Sequence, residues 1–217
     1  MNCLIVAATV IEITPFLEQY RSKKSNLFPN LHIDVLITGI GLTATTYSLT
    51  RQLHIKRPGI IIQAGVGGCF NTSYPLGSVL AIKKEAIADQ SVIELDQLKT
   101  MFSLKLVPQD QYPFSKGWLV NKSEILKKVK LKKVTGVSTN EITTSIQKVK
   151  FYKETFDPVA ESMEGAALHY VCLMEKIPFL QIRSISNYIA ERDKKNWNMK
   201  ESIINLNKEL IRLLEKL

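Results

Sequence analysis

Short apolar runs of strand type alternate along this chain with stretches of helical periodicity, and that alternation restricts the folds open to it more than any other feature. The runs are Leu4–Ala8, Ile33–Thr38, Ile60–Ala64, Ser78–Ile82, Val134–Ser138 and Phe179–Ser186. Helical periodicity is clearest over Glu12–Tyr20, Leu42–Ile55, Gly165–Glu175 and Met199–Lys216, the last carrying Ile203, Leu206, Leu210 and Leu213 on one face. Apolar strands interleaved with helices of this length predict a mostly parallel sheet covered on both sides. With 217 residues and 45% hydrophobic content, one large core is within reach. The expected fold class is therefore α/β: a single domain over residues 1–217 with a mixed, mostly parallel central sheet flanked by helices. Lys84 to Trp118 is less periodic and contains Pro108 and Pro113, which predicts strand and long-loop excursions within that domain.

Several function classes receive no support. No run of about 18 apolar residues is present to span a bilayer, and the apolar start lacks the basic region and cleavage site of a secretory signal. A cytoplasmic protein with no membrane partner is expected. Cys3, Cys69 and Cys172 are widely separated without a CxxC pair, so they read as buried thiols rather than disulfides or zinc ligands. His32, His54 and His169 are scattered, with no HExxH or HxH and no aspartate cluster; neither a metal nor a cofactor is expected. Ser162 and Ser186 lack the GxSxG setting of a nucleophile. The net charge of +9 is densest at Lys127, Lys128, Lys130, Lys132 and Lys133. No aromatic for base stacking is interleaved there, so the stretch reads as a solvated helix end running into a strand, and no nucleic-acid partner is expected.

Open α/β sheets bind ligands beyond the carboxyl ends of their strands. The residues following the apolar runs are Glu12, Gly39 to Gly41, Gly65 to Gly68, Ser138 to Glu141, and Ser186 with Asn187, and all can line one pocket. Gly39-Ile40-Gly41-Leu42-Thr43-Ala44 formally matches a dinucleotide fingerprint. The strand Ile60 to Gly65, however, ends without the acidic residue that holds a cofactor ribose. Gly65-Val66-Gly67-Gly68 is read as a strand end where the backbone turns sharply and approaches a small molecule.

Taken together, several motifs resemble those of the purine nucleoside phosphorylase and nucleosidase superfamily, over nearly the whole chain. They are Ala7-Ala8 with Glu12, Thr38-Gly39-Ile40-Gly41, Gln63 to Gly68, Ser162-Met163-Glu164-Gly165-Ala166-Ala167, and Arg183-Ser184-Ile185-Ser186-Asn187. Glu161 to Ala167 and Ile185 to Tyr188, followed by Glu191-Arg192-Asp193 and Trp197, look most like the futalosine hydrolase branch. The resemblance implies hydrolysis of futalosine to hypoxanthine and dehypoxanthinylfutalosine, as in the alternative route to menaquinone. Other branches, methylthioadenosine/S-adenosylhomocysteine nucleosidases and purine nucleoside phosphorylases, are the competing readings. A small-molecule purine nucleoside as partner and a homodimer or higher homo-oligomer are likewise implied by the resemblance.

Splitting an N-glycosidic bond with water passes through a ribosyl cation, so a catalyst must stabilise positive charge on the sugar, aim a water and help the base leave. On the family pattern Glu12 positions and deprotonates the water. It has no acidic neighbour upstream, where relatives often carry one, because Val10 and Ile11 precede it. Glu164 takes hydrogen bonds from the ribose hydroxyls, and Met163 packs on the sugar. Gly65, Val66 and Gly67 approach the substrate, and Ile142 contacts the base. Asn187 stands where adenine-releasing relatives carry aspartate. An amide can donate to the O6 and N7 edge of a 6-oxopurine and, where geometry allows, accept from N1–H, so Asn187 favours hypoxanthine over adenine. Neither glycine cluster contains arginine, and Val66 is apolar where a phosphate ligand needs a hydroxyl; water is therefore expected as nucleophile rather than phosphate.

Overall fold

Runs of isoleucine, valine and leucine without charged interruptions produce strands that are buried on both faces, and two such strands lie at the centre of the molecule. The computed structural model describes residues 1–22, 27–190 and 193–217. β1 (Asn2–Ala7) lies between β2 (His32–Ile37) and β3 (Ile60–Cys69), parallel to both. β3 pairs in parallel with β11 (Phe179–Tyr188), and β11 continues antiparallel to β4 (Val79–Ile87). β4 runs parallel to β9 (Lys133–Ser138), β9 parallel to β10 (Ala160–Ser162), and β10 returns antiparallel to β3. The pairing β3, β11, β4, β9, β10 and back to β3 is thus a closed circuit. Cys69, Leu80, Ile82, Val134, Ala160 and Ile185, drawn from all of its strands, form one apolar cluster.

Helices cover both faces, as the alternation predicts. α1 (Val10–Ser22) and α6 (Met199–Leu214) pack with β1, β3 and β11 through Ile13, Phe16, Leu206 and Leu210 against Ile5, Ile62 and Ile182. α2 (Leu42–Ile55) and α5 (Gly165–Met174) cover the opposite face through Leu49, Leu53, Leu168 and Val171 against Leu4, Val6 and Ile61. The expected excursions between residues 84 and 118 are an antiparallel pair, β5 (Ser91–Glu94) with β6 (Gln97–Thr100), and β7 (Phe114–Ser115) leading into β8 (Trp118–Val120) beside β4. α3 (Glu124–Lys128) ends inside the lysine-rich stretch and β9 begins at its far side. α4 (Ile146–Phe156) and β10 are elements the periodicity did not predict. Among the described residues no helix is long and apolar enough to cross a membrane.

One expectation is corrected. Gly65 to Gly68 is not a turn after a strand, because β3 runs on to Cys69 and only Gly39, Gly41, Gly77 and Gly117 have positive φ among the glycines. The glycines of β3 are needed for space. A Cβ on Gly67 would lie 2.7 Å from the Glu161 carbonyl oxygen, and one on Gly68 would lie 2.3 Å from Ile189 Cδ1. Gly39 and Gly41, with φ of 83° and 94°, do make the sharp turn expected of them before α2.

The Gly67 contact is with main chain and cannot be relieved by a rotamer change. Gly67→Ala is accordingly expected to destabilise the fold by about 1–3 kcal/mol, read as a lower urea midpoint with unchanged slope; an unaltered midpoint would remove the packing explanation.

Candidate functional site

Glu12 lies in the first turn of α1, not at the end of β1, and two local devices fix it there. Thr9-Val10-Ile11-Glu12 is a capping box: Glu12 Oε2 accepts from Thr9 N at 3.0 Å and from Thr9 Oγ1 at 3.2 Å. Pro15 has no N–H for the helix ladder, and the turn beneath it is bridged by the buried amide of Asn207 from α6. Its Nδ2 donates to Glu12 O at 2.8 Å, and its Oδ1 accepts from Phe16 N at 3.1 Å. The remaining oxygen, Glu12 Oε1, accepts from Val66 N at 3.0 Å, which ties the helix start to β3. Glu12 is only 8% exposed.

Glu164 stands at the N-cap position of α5, immediately after β10. Its Oε1 accepts from Gly41 N at 3.2 Å, across the Gly39–Gly41 turn, and its Oε2 lies 3.5 Å from Arg183 Nη2. Burial raises the Glu164 pKa above the ordinary glutamate value; the Arg183 charge and the Gly41 N–H oppose that rise, while the Glu12 charge adds to it. Arg183 projects from the middle of β11 and is 1% exposed. Nη2 also donates to Gln63 Oε1 at 2.8 Å. A Cβ on Gly65 would sit 2.1 Å from Arg183 Nη1 and 3.0 Å from Glu12 Oε1. Gly65 is therefore the gap through which the guanidinium reaches the space between the two carboxylates.

Asn187 follows an irregularity in the pairing of β11 with β3, between Ile185 and Asn187. Its Nδ2 donates to Tyr188 O at 3.2 Å, and its Oδ1 accepts from Ser186 Oγ at 2.9 Å. The backbone carbonyl can only accept, so it fixes which end of the amide is nitrogen. One amide N–H remains for a ligand, and the carbonyl keeps a second lone pair beside the Ser186 hydroxyl, which also lies 3.2 Å from Gly67 O.

These side chains border one cavity of about 450 Å³, a volume suited to a small ligand. Glu12, Val66, Gly67, Ile142, Met163, Glu164 and Asn187 all line it. Gly65 does not, which corrects its expected place at the substrate: it faces Arg183 and Glu12 instead. Ile142 is half exposed at the rim. Trp197, Met199 and Ile203 close another part of the wall together with Ile11 and Ile40. Of the Glu191-Arg192-Asp193 stretch, Glu191 and Arg192 lie outside the described residues. A larger depression of about 890 Å³ runs between α2 and α5 and touches neither Glu12 nor Asn187.

Three functional features were not assigned from the sequence. Thr9 was legible, since a threonine three residues before a glutamate at a helix start is a capping-box signal. Arg183 carried no signal of its role, because its contacts come from Gln63 on β3 and Glu164 at the start of α5. The absence of arginine from the glycine clusters does not keep a guanidinium away: Arg183 reaches Gly65 from the neighbouring strand. Glu161, 6% exposed, also lines the cavity.

The chain is similar to proteins of known activity along its length. The methylthioadenosine/S-adenosylhomocysteine nucleosidase of Buchnera aphidicola is 27% identical over 197 residues, covering 87% of this chain and 81% of that protein. The futalosine hydrolase of Thermus thermophilus is 24% identical over 221 residues, covering 97% and 94%. Among solved structures, a futalosine hydrolase of Helicobacter pylori superposes with a TM-score of 0.77 at 22% identity, covering 100% of this chain and 98% of that one. The methylthioadenosine/S-adenosylhomocysteine nucleosidase of the same organism gives 0.79 at 20% identity, covering 100% and 99%. Residues 27–217 match the family model of the phosphorylase superfamily, and with a match of that extent the chain belongs to the phosphorylase superfamily.

Proposed function

We propose that this protein is a purine nucleoside N-glycosidase that hydrolyses futalosine to hypoxanthine and dehypoxanthinylfutalosine. The observation carrying this reading is an amide, Asn187, in the wall of the cavity bordered by Glu12 and Glu164. Relatives named for methylthioadenosine/S-adenosylhomocysteine and for futalosine are comparably similar to this chain, so N-glycosidic cleavage is common to both readings and the base is what divides them.

Each step has a residue in place. Glu164, deeply buried and anchored by Gly41 N and Arg183, offers carboxylate oxygens to ribose hydroxyls and negative potential to a developing ribosyl cation. Glu12, held by Thr9 and Val66, takes a proton from the attacking water. Arg183, which does not line the cavity, holds Glu164 from behind. Two carboxylates beside one guanidinium leave the locality unfavourable to a phosphate dianion, which supports water as nucleophile. Asn187 keeps one N–H for O6 or N7 of the departing base. An amide is a poor general acid, so stabilisation of the leaving base comes through that hydrogen bond. Ile11, Ile40, Met199 and Ile203 give an apolar lining suited to an aromatic 5′ substituent.

We further propose, in line with the family resemblance, that a second copy of the chain covers the α2/α5 face. Tyr47 and Ile55 there are 67% and 69% exposed. Ile40 at the cavity rim is 60% exposed and precedes α2, which makes the two apolar surfaces continuous along the chain. Sedimentation of the purified protein is expected to give twice the chain mass; a monomer at micromolar concentration would discard this assembly.

Chromatography of products from futalosine, inosine and methylthioadenosine, with and without phosphate, tests the reaction. Hypoxanthine from futalosine without added phosphate is expected. In Asn187→Asp the preference for 6-oxo over 6-amino substrates should drop by about ten-fold or more, whereas unchanged selectivity would place base recognition elsewhere. Glu12→Gln should retain substrate binding by calorimetry while kcat declines about 100-fold or more; full turnover in that variant would eliminate Glu12 as the base.

A further inference from the structure

The bonding of Asn187 leaves part of a 6-oxopurine unread. Such a base presents acceptors at O6 and N7 but a donor at N1–H. The Asn187 carbonyl accepts from Ser186 Oγ at 2.9 Å, a hydroxyl that also lies 3.2 Å from Gly67 O; with the free amide N–H directed to the O6/N7 edge, N1–H on the other side of O6 is left to a different acceptor. A donor left unpaired in a buried site costs about 1–3 kcal/mol, enough to erase selectivity for the base.

Glu161 is placed to be that acceptor. Asn187 on β11 and Glu161 on β10 both pair with Gly68 of β3, one from each side. Residues paired laterally across a sheet project to the same face, and both of these line the cavity. Two strand spacings separate their backbones by about 10 Å, room for a bicyclic base hydrogen-bonded at each end. Gly68 has no side chain of its own, and Ile189, another lining residue, packs over it with Cδ1 2.3 Å from where a Cβ would lie, giving the base an apolar floor between Asn187 and Glu161. Glu161 is 6% exposed, with Oε1 accepting from Thr143 N at 3.2 Å and the Thr143 side chain beside the same carboxylate, which leaves Oε2 with acceptor capacity to spare. A carboxylate buried in a ligand cavity with unused acceptor capacity is costly unless a ligand completes it. No step assigned to Glu12, Glu164, Arg183 or Asn187 uses it.

We infer that Glu161 is a specificity-determining residue whose carboxylate accepts the N1–H of a bound 6-oxopurine, while Asn187 donates to the opposite edge. This rests on the 6-oxopurine reading above and deepens it. Burial raises the Glu161 pKa to about 6, against the lowering effect of Thr143, so the group is ionised and a pure acceptor at neutral pH. A 6-aminopurine has a lone pair, not a proton, at N1, and an ionised Glu161 repels it. Discrimination therefore comes from a mismatch at N1 as well as from a contact at O6.

The test compares matched pairs differing only at the 6-position, inosine with adenosine and 5′-methylthioinosine with 5′-methylthioadenosine, in wild type, Glu161→Gln and Glu161→Ala. Glu161→Ala should lower kcat/KM for the 6-oxo member by about 10- to 100-fold, the value of one hydrogen bond to a charged group, and Glu161→Gln, whose amide oxygen can still accept, by a smaller factor. The 6-amino member should stay level or improve, which also shows that the variants fold. If wild type releases hypoxanthine but both variants keep its 6-oxo to 6-amino ratio, the role of Glu161 is overturned and the proposed function stands. If wild type cleaves the 6-amino members alone, the 6-oxopurine reading fails, and this inference with it.

Discussion

A buried guanidinium between carboxylates organises this molecule. Arg183 reaches Gln63 on β3 and Glu164 at the start of α5, and lies beside Glu12 at the start of α1. Removing one partner from a buried ion pair costs about 3–5 kcal/mol in general, because the survivor is left charged and unsolvated. The arrangement therefore demands that α1, β3, α5 and β11 meet in one geometry. The glycine at position 65 is part of the same requirement, since any side chain there would occupy the volume of Arg183 Nη1.

The electrostatics suit the chemistry proposed for the cavity. Two carboxylates compensated by one arginine leave a negative surplus where a sugar becomes cationic, and both are held by backbone donors before substrate arrives. Glu12 receives Thr9 N and Val66 N, and Glu164 receives Gly41 N. Such preorganisation has a source in the fold: two helix starts and one glycine turn converge beyond the carboxyl ends of β1, β10 and β2. A second buried carboxylate system lies behind it. Glu85 accepts from Gln181 Nε2 at 2.8 Å and from Ser138 Oγ at 3.3 Å, and Ser138 Oγ in turn accepts from Ala166 N in the first turn of α5. Burial raises the Glu85 pKa to about 7 despite those donors. The glycines at 136 and 165 give Glu85 its space, with Cβ positions only 2.6 Å and 2.2 Å from its Oε1.

Much of the architecture was legible because burial on both faces leaves a plain mark on sequence. Leu4 to Ala8 and Ile60 to Ala64 contain no charge, and α6 keeps Leu206, Leu210 and Leu213 on one buried side. Short elements were not legible. β10 is three residues long, and its pairing with β3 and β9 depends on neighbours far away in sequence. α4 mixes lysines with Phe151 and Tyr152, so its buried stripe is narrow. The Gly65–Gly68 cluster was misjudged as a turn because glycine marks both bends and close approaches, and only the neighbouring side chains distinguish them.

The sequence by itself determined the layered α/β plan, the Gly39–Gly41 turn and the identities of Glu12, Met163, Glu164 and Asn187 as cavity residues, since period, chirality and motif are local properties. Only the tertiary structure decided that Gly65 faces Arg183 rather than the cavity, that Arg183 pairs with Glu164, and that Glu161 and Asn187 flank Gly68 from opposite strands. Those facts depend on register and crossing between segments distant in sequence, by 120 residues for Arg183 and Gln63, and no local pattern of residues encodes a distance across a sheet.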